Sequence, residues 1–160
     1  MGRDEGDDCL PVRSRLTAFV DANVVLYATG TVPAFREPCI SILETSARAE
    51  AKLLTSAEVL QEVLYVRQRT LGREIARNAV QLATTSLLVF PLLPEDVVAA
   101  SLLDAPSNLQ TRDLLHLATM ARLGLTQIVS SDRAFERVAG IERLDPMEFE
   151  GWRERVFAAE

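Results

Sequence analysis

Four acids in this chain stand where a carboxylate is hard to place without a purpose. Asp21 follows the apolar run 16–20, and Asp132 follows the apolar run 127–130 with two hydroxyls, Ser130 and Ser131, just before it. Asp113 stands near the start of a segment, 111–123, that is apolar nearly all round. Glu62 has Val59, Val63 and Val66 at helical spacing around it. A carboxylate beside apolar residues is costly unless something compensates it. Each acid also has a plain structural reading. Asp21 and Asp132 can form turns or cap the next helix, as Asn23 also can. Asp113 can serve the helix dipole. Glu62 can pair with an arginine such as Arg69. Glu58, one turn before Glu62, is accounted for by the capping-box pattern Thr55-Ser56-Ala57-Glu58. His116 is the only histidine and reads as a packed core residue.

Taken jointly the acids point to metal chemistry. Four carboxylates held together repel and shift one another's pKa values. Hard divalent cations with oxygen ligands relieve that repulsion, Mg²⁺ or Mn²⁺ in particular. Such ions activate water and stabilise a leaving phosphate oxygen. No Gly-rich phosphate loop, nucleophile elbow or Cys/His pair competes for the role.

Whether the acids meet depends on the elements that carry them. Strands are expected at 16–20, 52–56, 87–92, 127–130 and 141–144. Helices are expected at 24–28, 34–50, 56–69, 73–85, 94–103, 111–123, from 132 to about 138, and 146–159. The 56–69 helix is expected to bury Val59, Leu60, Val63 and Leu64. Pro91 marks the end or edge of the third strand, and Gly124 closes the 111–123 helix. Strands alternating with helices imply right-handed crossovers and a parallel sheet covered on both faces. Strand ends and the starts of the following helices then share one edge of that sheet, the edge where ligands bind in open α/β folds. All four acids fall near it.

Composition narrows the class. The chain has 160 residues, 48% hydrophobic and 25% charged, as soluble globular domains do. The expected organisation is a polar extension over 1–15 and one domain over 16–160. No apolar stretch is long enough for a membrane span, and the acidic start lacks a signal-peptide core. The expected setting is cytoplasmic, with no membrane partner. The two cysteines, Cys9 and Cys39, read as free thiols. Net charge is −6, which disfavours a basic-surfaced DNA reader but not a nucleic-acid enzyme whose acids are neutralised by a metal. Lys52 is the sole lysine among the 17 basic residues.

The motifs resemble a known family. Phe19-Val20-Asp21-Ala22-Asn23-Val24-Val25-Leu26-Tyr27 resembles the opening motif of PIN-domain ribonucleases. Ser56-Ala57-Glu58-Val59-Leu60-Gln61-Glu62 resembles the segment carrying their glutamate. Arg112-Asp113-Leu114-Leu115-His116-Leu117-Ala118 and Ile128-Val129-Ser130-Ser131-Asp132 resemble the third and fourth acidic motifs. Length and element order are similar to those of VapC toxins of type II toxin–antitoxin systems. The resemblance implies a three-layer α/β/α sandwich with a parallel sheet of four to five strands, and a Mg²⁺- (or Mn²⁺-) dependent endoribonuclease. It implies Asp21 and Asp113 as the main metal ligands, with Glu62 and Asp132 completing the set directly or through water. Asn23 would orient Asp21, and Ser130 keeps the hydroxyl of the threonine often found there. Arg112 and Arg133, each next to a site acid, are candidates for substrate phosphate. The implied partners are RNA, a small antitoxin protein and a second copy of the chain.

Two other readings stay open at this point. Phosphoaspartate enzymes and receivers also place an Asp after the first strand, but they use a late lysine and none follows Lys52. A non-catalytic PIN-like binding module is the second.

Overall fold

The computed structural model describes residues 18–49 and 53–157. The expected extension at 1–15, the first two residues of the 16–20 strand, Lys52 and Cys9 lie outside the described residues. The elements run β1 (Phe19–Val20), α1 (Ala22–Ala28), α2 (Pro33–Arg48), β2 (Leu54–Ser56), α3 (Ala57–Leu71), α4 (Arg73–Ser86), β3 (Leu88–Phe90), α5 (Pro94–Ser101), α6 (Thr111–Arg122), β4 (Gln127–Val129) and β5 (Glu142–Leu144), then α7 (Phe149–Phe157). Short 3-10 helices at Arg133–Arg137 and Pro146–Glu148 flank β5. Pro146 opens the second of these, so the expected 146–159 helix begins properly only at Phe149. Among the described residues no helix is long and apolar enough to cross a membrane.

The five strands form one sheet in the order β3-β2-β1-β4-β5, and every pairing is parallel. The chain steps outward from β1 to β2 and β3, then crosses back to lay β4 on the other side of β1. Right-handed connections therefore place α1 to α4 on one face and α5 with α6 on the other. This is the expected α/β/α sandwich. The order reverses between β1 and β4, and the crevice outside their carboxyl ends is the topological switch point.

Strand composition follows burial. Phe19, Val20, Leu54, Ile128 and Val129 are buried on both faces, which is why they read as continuous apolar runs rather than alternating ones. β3 is an edge strand with Leu88 and Val89 exposed, and Pro91 follows it as expected of an edge. Cys39 is a buried free thiol whose burial pushes its pKa up to about 12. Gly124, at φ +70°, takes the left-handed position just past α6 that favours glycine.

Two local expectations need correction. Ser56, not Thr55, caps α3, its hydroxyl accepting from the Val59 amide at 3.4 Å. Thr55 turns its hydroxyl to the Val20 carbonyl at 2.9 Å instead, stitching β2 to β1. Glu58 is thereby released from the capping-box role. Leu64 was expected in the core but is 44% exposed. The inward stripe of α3 is narrow, with only Val59 and Val63 fully buried.

α5 and α6 are locked by an ion pair. Asp96, 2% exposed, accepts from Arg122 Nε at 2.7 Å and Nη2 at 2.9 Å. It also accepts from the Leu93 amide at 2.9 Å, and Arg122 reaches the Pro91 carbonyl at 2.8 Å. The Arg122 hydrogen bonds hold the Asp96 carboxyl below the usual carboxylate value. A depressed carboxylate contributes stability above its unfolded pKa and loses it as pH falls through its folded value. Asp96→Asn should cost about 1–2 kcal/mol at pH 7, since a charge-assisted bond becomes a neutral one. In urea titrations the gap between parent and variant should persist to pH 5 and close below about pH 3, near and under the ordinary carboxylate pKa. A gap unchanged at pH 2.5 would rule out the charged pair as its source.

Candidate active site

Strand register builds the centre of the site. Val20 pairs with Val129, and the Asp21 amide continues the ladder to the Val129 carbonyl at 3.1 Å. The next residues out, Asp21 and Ser130, are therefore neighbours although 109 positions apart. Ser130 Oγ donates to Asp21 Oδ2 at 2.6 Å. Asp21 is also the N-cap of α1, accepting from the Ala22 amide at 2.7 Å. That explains why α1 begins at Ala22 rather than at the expected position 24. Asn23 sits in the first turn, where Nδ2 donates to Asp21 Oδ2 at 2.6 Å and to Ser130 Oγ at 2.9 Å. Its Oδ1 accepts from the Ser131 amide at 3.2 Å. The orienting role expected of Asn23 thus has a geometric basis.

Asp21 is only 7% exposed. Burial pushes its carboxyl above the ordinary aspartate value, against the pull of Ser130, Ala22 and Asn23, and the nearby charge of Asp132 pushes the same way. Its ion-pair neighbour among the described residues is His116, with Nε2 3.8 Å from Oδ1. Burial drives the His116 imidazole down to about 4, so at neutral pH it carries no charge to offset Asp21. His116 packs on Phe19 with ring centroids 5.4 Å apart, as a core residue should, and its Nδ1 has no hydrogen-bond partner among the described residues.

The other acids reach the same edge on different elements. Asp132 caps the 3-10 helix after β4, accepting from the Ala134 amide at 2.8 Å, and its own amide donates to Ser130 Oγ at 3.0 Å. Asp113, in the first turn of α6, accepts from the Gln110 amide at 2.7 Å. Its carboxyl is raised mainly by burial, with the charges of Asp21 and Asp132 adding to the rise. Asp21, Asp113 and Asp132 therefore sense one another across the switch point. Glu62 is also near, since its charge acts on His116, but it is engaged elsewhere. Arg112 Nη1 lies 3.1 Å from Glu62 Oε1, and Arg112 Nε lies 3.8 Å from Glu58 Oε1. The arginine expected beside Glu62 is thus Arg112 and not Arg69, which donates to Tyr65 Oη. Arg133 is exposed and pairs with Glu136 at 3.5 Å.

The four carboxylates share an edge without closing into a cage. Among the described residues no three His, Cys, Asp or Glu side chains are gathered closely enough to hold a metal ion. The physical reason is visible in the partners. Each acid is held by its own donor, and like charges with nothing between them do not converge.

One site residue escaped the sequence reading. Arg143 on β5 donates from Nη1 to the Ser130 carbonyl at 2.9 Å and to Asp145 at 3.1 Å. It also holds Glu136 through Nη2 at 2.6 Å and Nε at 2.9 Å. It clamps both ends of the turn that carries Asp132. An arginine inside the expected strand 141–144, beside Asp145, was the available signal.

The comparisons with known proteins meet this geometry. The sequence profile of the PIN domain family matches residues 18–141. Ribonuclease VapC13 of Mycobacterium tuberculosis is 35% identical over 133 residues, spanning 78% of this chain and 97% of that relative. The chain belongs to the PIN-domain family. Within it the chain groups with the VapC ribonucleases, and it is an enzyme of the hydrolase class. The PIN fold is also found in solved structures. DNA-bound VapBC from Salmonella typhimurium aligns with TM-score 0.63 and 19% identity, over 82% of this chain and 98% of that one. A toxin–antitoxin complex from Klebsiella pneumoniae aligns with TM-score 0.58 and 16% identity, over 81% and 98%. At those identities the likeness speaks for the PIN fold alone. The phosphoaspartate reading is set aside by this membership.

Ser130 is the hub of this hydrogen-bond network, serving Asp21, Asn23 and the Asp132 amide at once. Ser130→Ala should destabilise the protein by about 2 kcal/mol in urea unfolding at neutral pH, because a buried carboxylate loses a charge-assisted bond. A loss under about 0.5 kcal/mol, the range of an unremarkable surface change, would mean that Asp21 does not depend on this hydroxyl.

Proposed function

We propose that this chain is a divalent-metal-dependent endoribonuclease and the toxin of a toxin–antitoxin pair. The observation that carries the reading is the buried setting of Asp21 at the switch point, with Asp113 and Asp132 near enough to act on it and no cation paired with it among the described residues. A site of this kind is under electrostatic strain until a cation arrives.

The donor set fits a hard cation, since every candidate ligand atom is a carboxylate oxygen. In this reading Asp21 and Asp113 would hold Mg²⁺ (or Mn²⁺), with Glu62 and Asp132 contributing directly or through water. When bound, the ion supplies water activation and neutralises charge developing on a phosphodiester. The remaining work falls to the chain itself. Ser130 and Asn23 fix the Asp21 carboxylate in one orientation. His116, neutral and buried, walls off the base of the site from water. Arg112 holds Glu62 and Glu58 and lies close enough to the acids to meet a substrate phosphate, for which a planar guanidinium is well suited. Arg133 is the outer candidate for the same task.

The partners follow from surfaces as well as from kin. A cavity of about 360 Å³ opens between α1, α2 and α4, with Ile40, Leu43, Ile75 and Leu82 in its wall. It is our candidate dock for the antitoxin. On the other face of the sheet, Val98 of α5 and Leu102, its C-cap, are 61% and 79% exposed, the place we assign to a second copy of the chain. We take the setting of the enzyme to be the cytoplasm.

Purified protein should cut RNA with Mg²⁺ and stop with EDTA. Asp21→Asn and Asp113→Asn should each lower cleavage by more than about 100-fold, the upper range for loss of a mere outer-shell partner, while circular dichroism stays that of the parent. Parent-like cleavage by both variants would remove these residues from the site. Mg²⁺ at a hundred times its Kd should stabilise the parent by about 2.7 kcal/mol, seen as a rise in Tm, and should leave Asp21→Asn unmoved. An equal rise in both proteins would place the ion elsewhere.

A further inference from the structure

Beside the acids lies a feature that neither the metal nor the antitoxin dock uses. Tyr27 of α1 and Phe35 of α2 stack with ring centroids 5.1 Å apart and planes 25° from parallel. The stack is tied to the site, because Ser131 Oγ donates to Tyr27 Oη at 3.4 Å and the Ser131 amide is bound by Asn23. The two rings line a cavity of about 380 Å³ whose wall also holds Gly30, Val32 and Arg67. Phe35 is 43% exposed, so part of its ring is open to an incoming group.

We propose that this cavity is a nucleobase subsite, in which a base of the RNA strand next to the scissile phosphate stacks on Phe35. The inference rests on the ribonuclease reading above. Three observations favour a base as the occupant. Aromatic faces are the general platform for unstacked bases, and the Tyr27–Phe35 pair is already a stack that a base would lengthen by one layer. Tyr27 in the cavity wall is linked by hydrogen bonds through Ser131 and Asn23 to Asp21, which puts the aromatic pair near the acids where a strand cut there would run. Arg67 adds positive charge to the wall while its guanidinium is held by the Leu26 carbonyl and Thr29 Oγ1, and a fixed cation complements the carbonyl-rich edge of a base and the phosphate attached to it. Gly30, also in the wall, stands at a turn too tight for a side chain, where an added Cβ would come within 3.2 Å of the Leu26 carbonyl and 3.3 Å of the Tyr27 carbonyl.

The test uses the full chain carrying Asp21→Asn, so that bound RNA is not cut. Its affinity is measured by fluorescence anisotropy for an all-adenine RNA dodecamer and for a ribose-phosphate dodecamer lacking bases. The two probes share the same backbone charge, so their affinity ratio reports base contacts. Adding Phe35→Ala should lower that ratio by about 5- to 150-fold, the range of base–aromatic stacking, and should leave binding of the baseless strand unchanged. Phe35→Trp should restore the ratio. A ratio untouched by Phe35→Ala overturns the subsite while leaving the nuclease reading standing. If Phe35→Ala keeps the ratio but weakens binding of the co-expressed antitoxin, the face belongs to a protein partner and the subsite is overturned. Absence of binding to either strand by the Asp21→Asn protein, joined to absence of RNA cleavage by the parent, overturns the ribonuclease reading and the subsite with it.

Discussion

A carboxylate held almost out of solvent at the carboxyl end of the central strand is the constraint on which the rest of the molecule turns. Left alone, Asp21 would be costly. It is made tolerable by two donors from the first turn of α1, the Ala22 amide and the Asn23 side-chain amide, and by the Ser130 hydroxyl at the end of β4. The one imidazole within reach stays neutral. Satisfying the hydrogen bonds of an ion without cancelling its charge leaves a site that is structurally complete and electrostatically open. That combination sets the site apart from a structural core.

The position of Asp21 depends in turn on topology. Parallel strands β1 and β4 lie side by side only because the chain, having built outward to β3, returns across the other face. Their register brings Asp21 level with Ser130, and Arg143 on β5 pins the Ser130 carbonyl from beyond. α6 delivers Asp113 to the same edge, and its far end is held to α5 by Asp96 and Arg122. The fold is thus a means of bringing short polar segments, distant in sequence, to one crevice.

Much of this was legible before any coordinates. Alternating runs gave the parallel sheet, and an acid directly after an apolar run is placed by elementary topology at the ligand-binding edge. The motif order pointed to the PIN family, and the match over residues 18–141 agrees. What could not be read was pairing between elements. Arg69 was the arginine within helical reach of Glu62 on paper, and only the packing of α6 against α3 brings Arg112 to it instead. Leu64 follows the helical period yet faces water, because the width of a buried stripe depends on the neighbouring helices. Thr55 and Ser56 are adjacent hydroxyls, and the strand's end decided which one caps. Most of all, four acids near an edge do not spell a closed cage. Their separate anchors keep them apart.

The span between Asp21 and Ser130 has a bearing on how the protein is made. On the ribosome the amino-terminal strand emerges early, at about 5–20 residues per second, and Asp21 then has α1 but neither its strand neighbour nor its serine. Most of the helical face can assemble while the acid still faces water. Only when β4 inserts, and Arg143 of the last strand follows, is the carboxylate enclosed and the turn bearing Asp132 set. Long-range parallel pairing of this kind is intrinsically slow. The crevice is therefore completed only after β4 and β5 are in place.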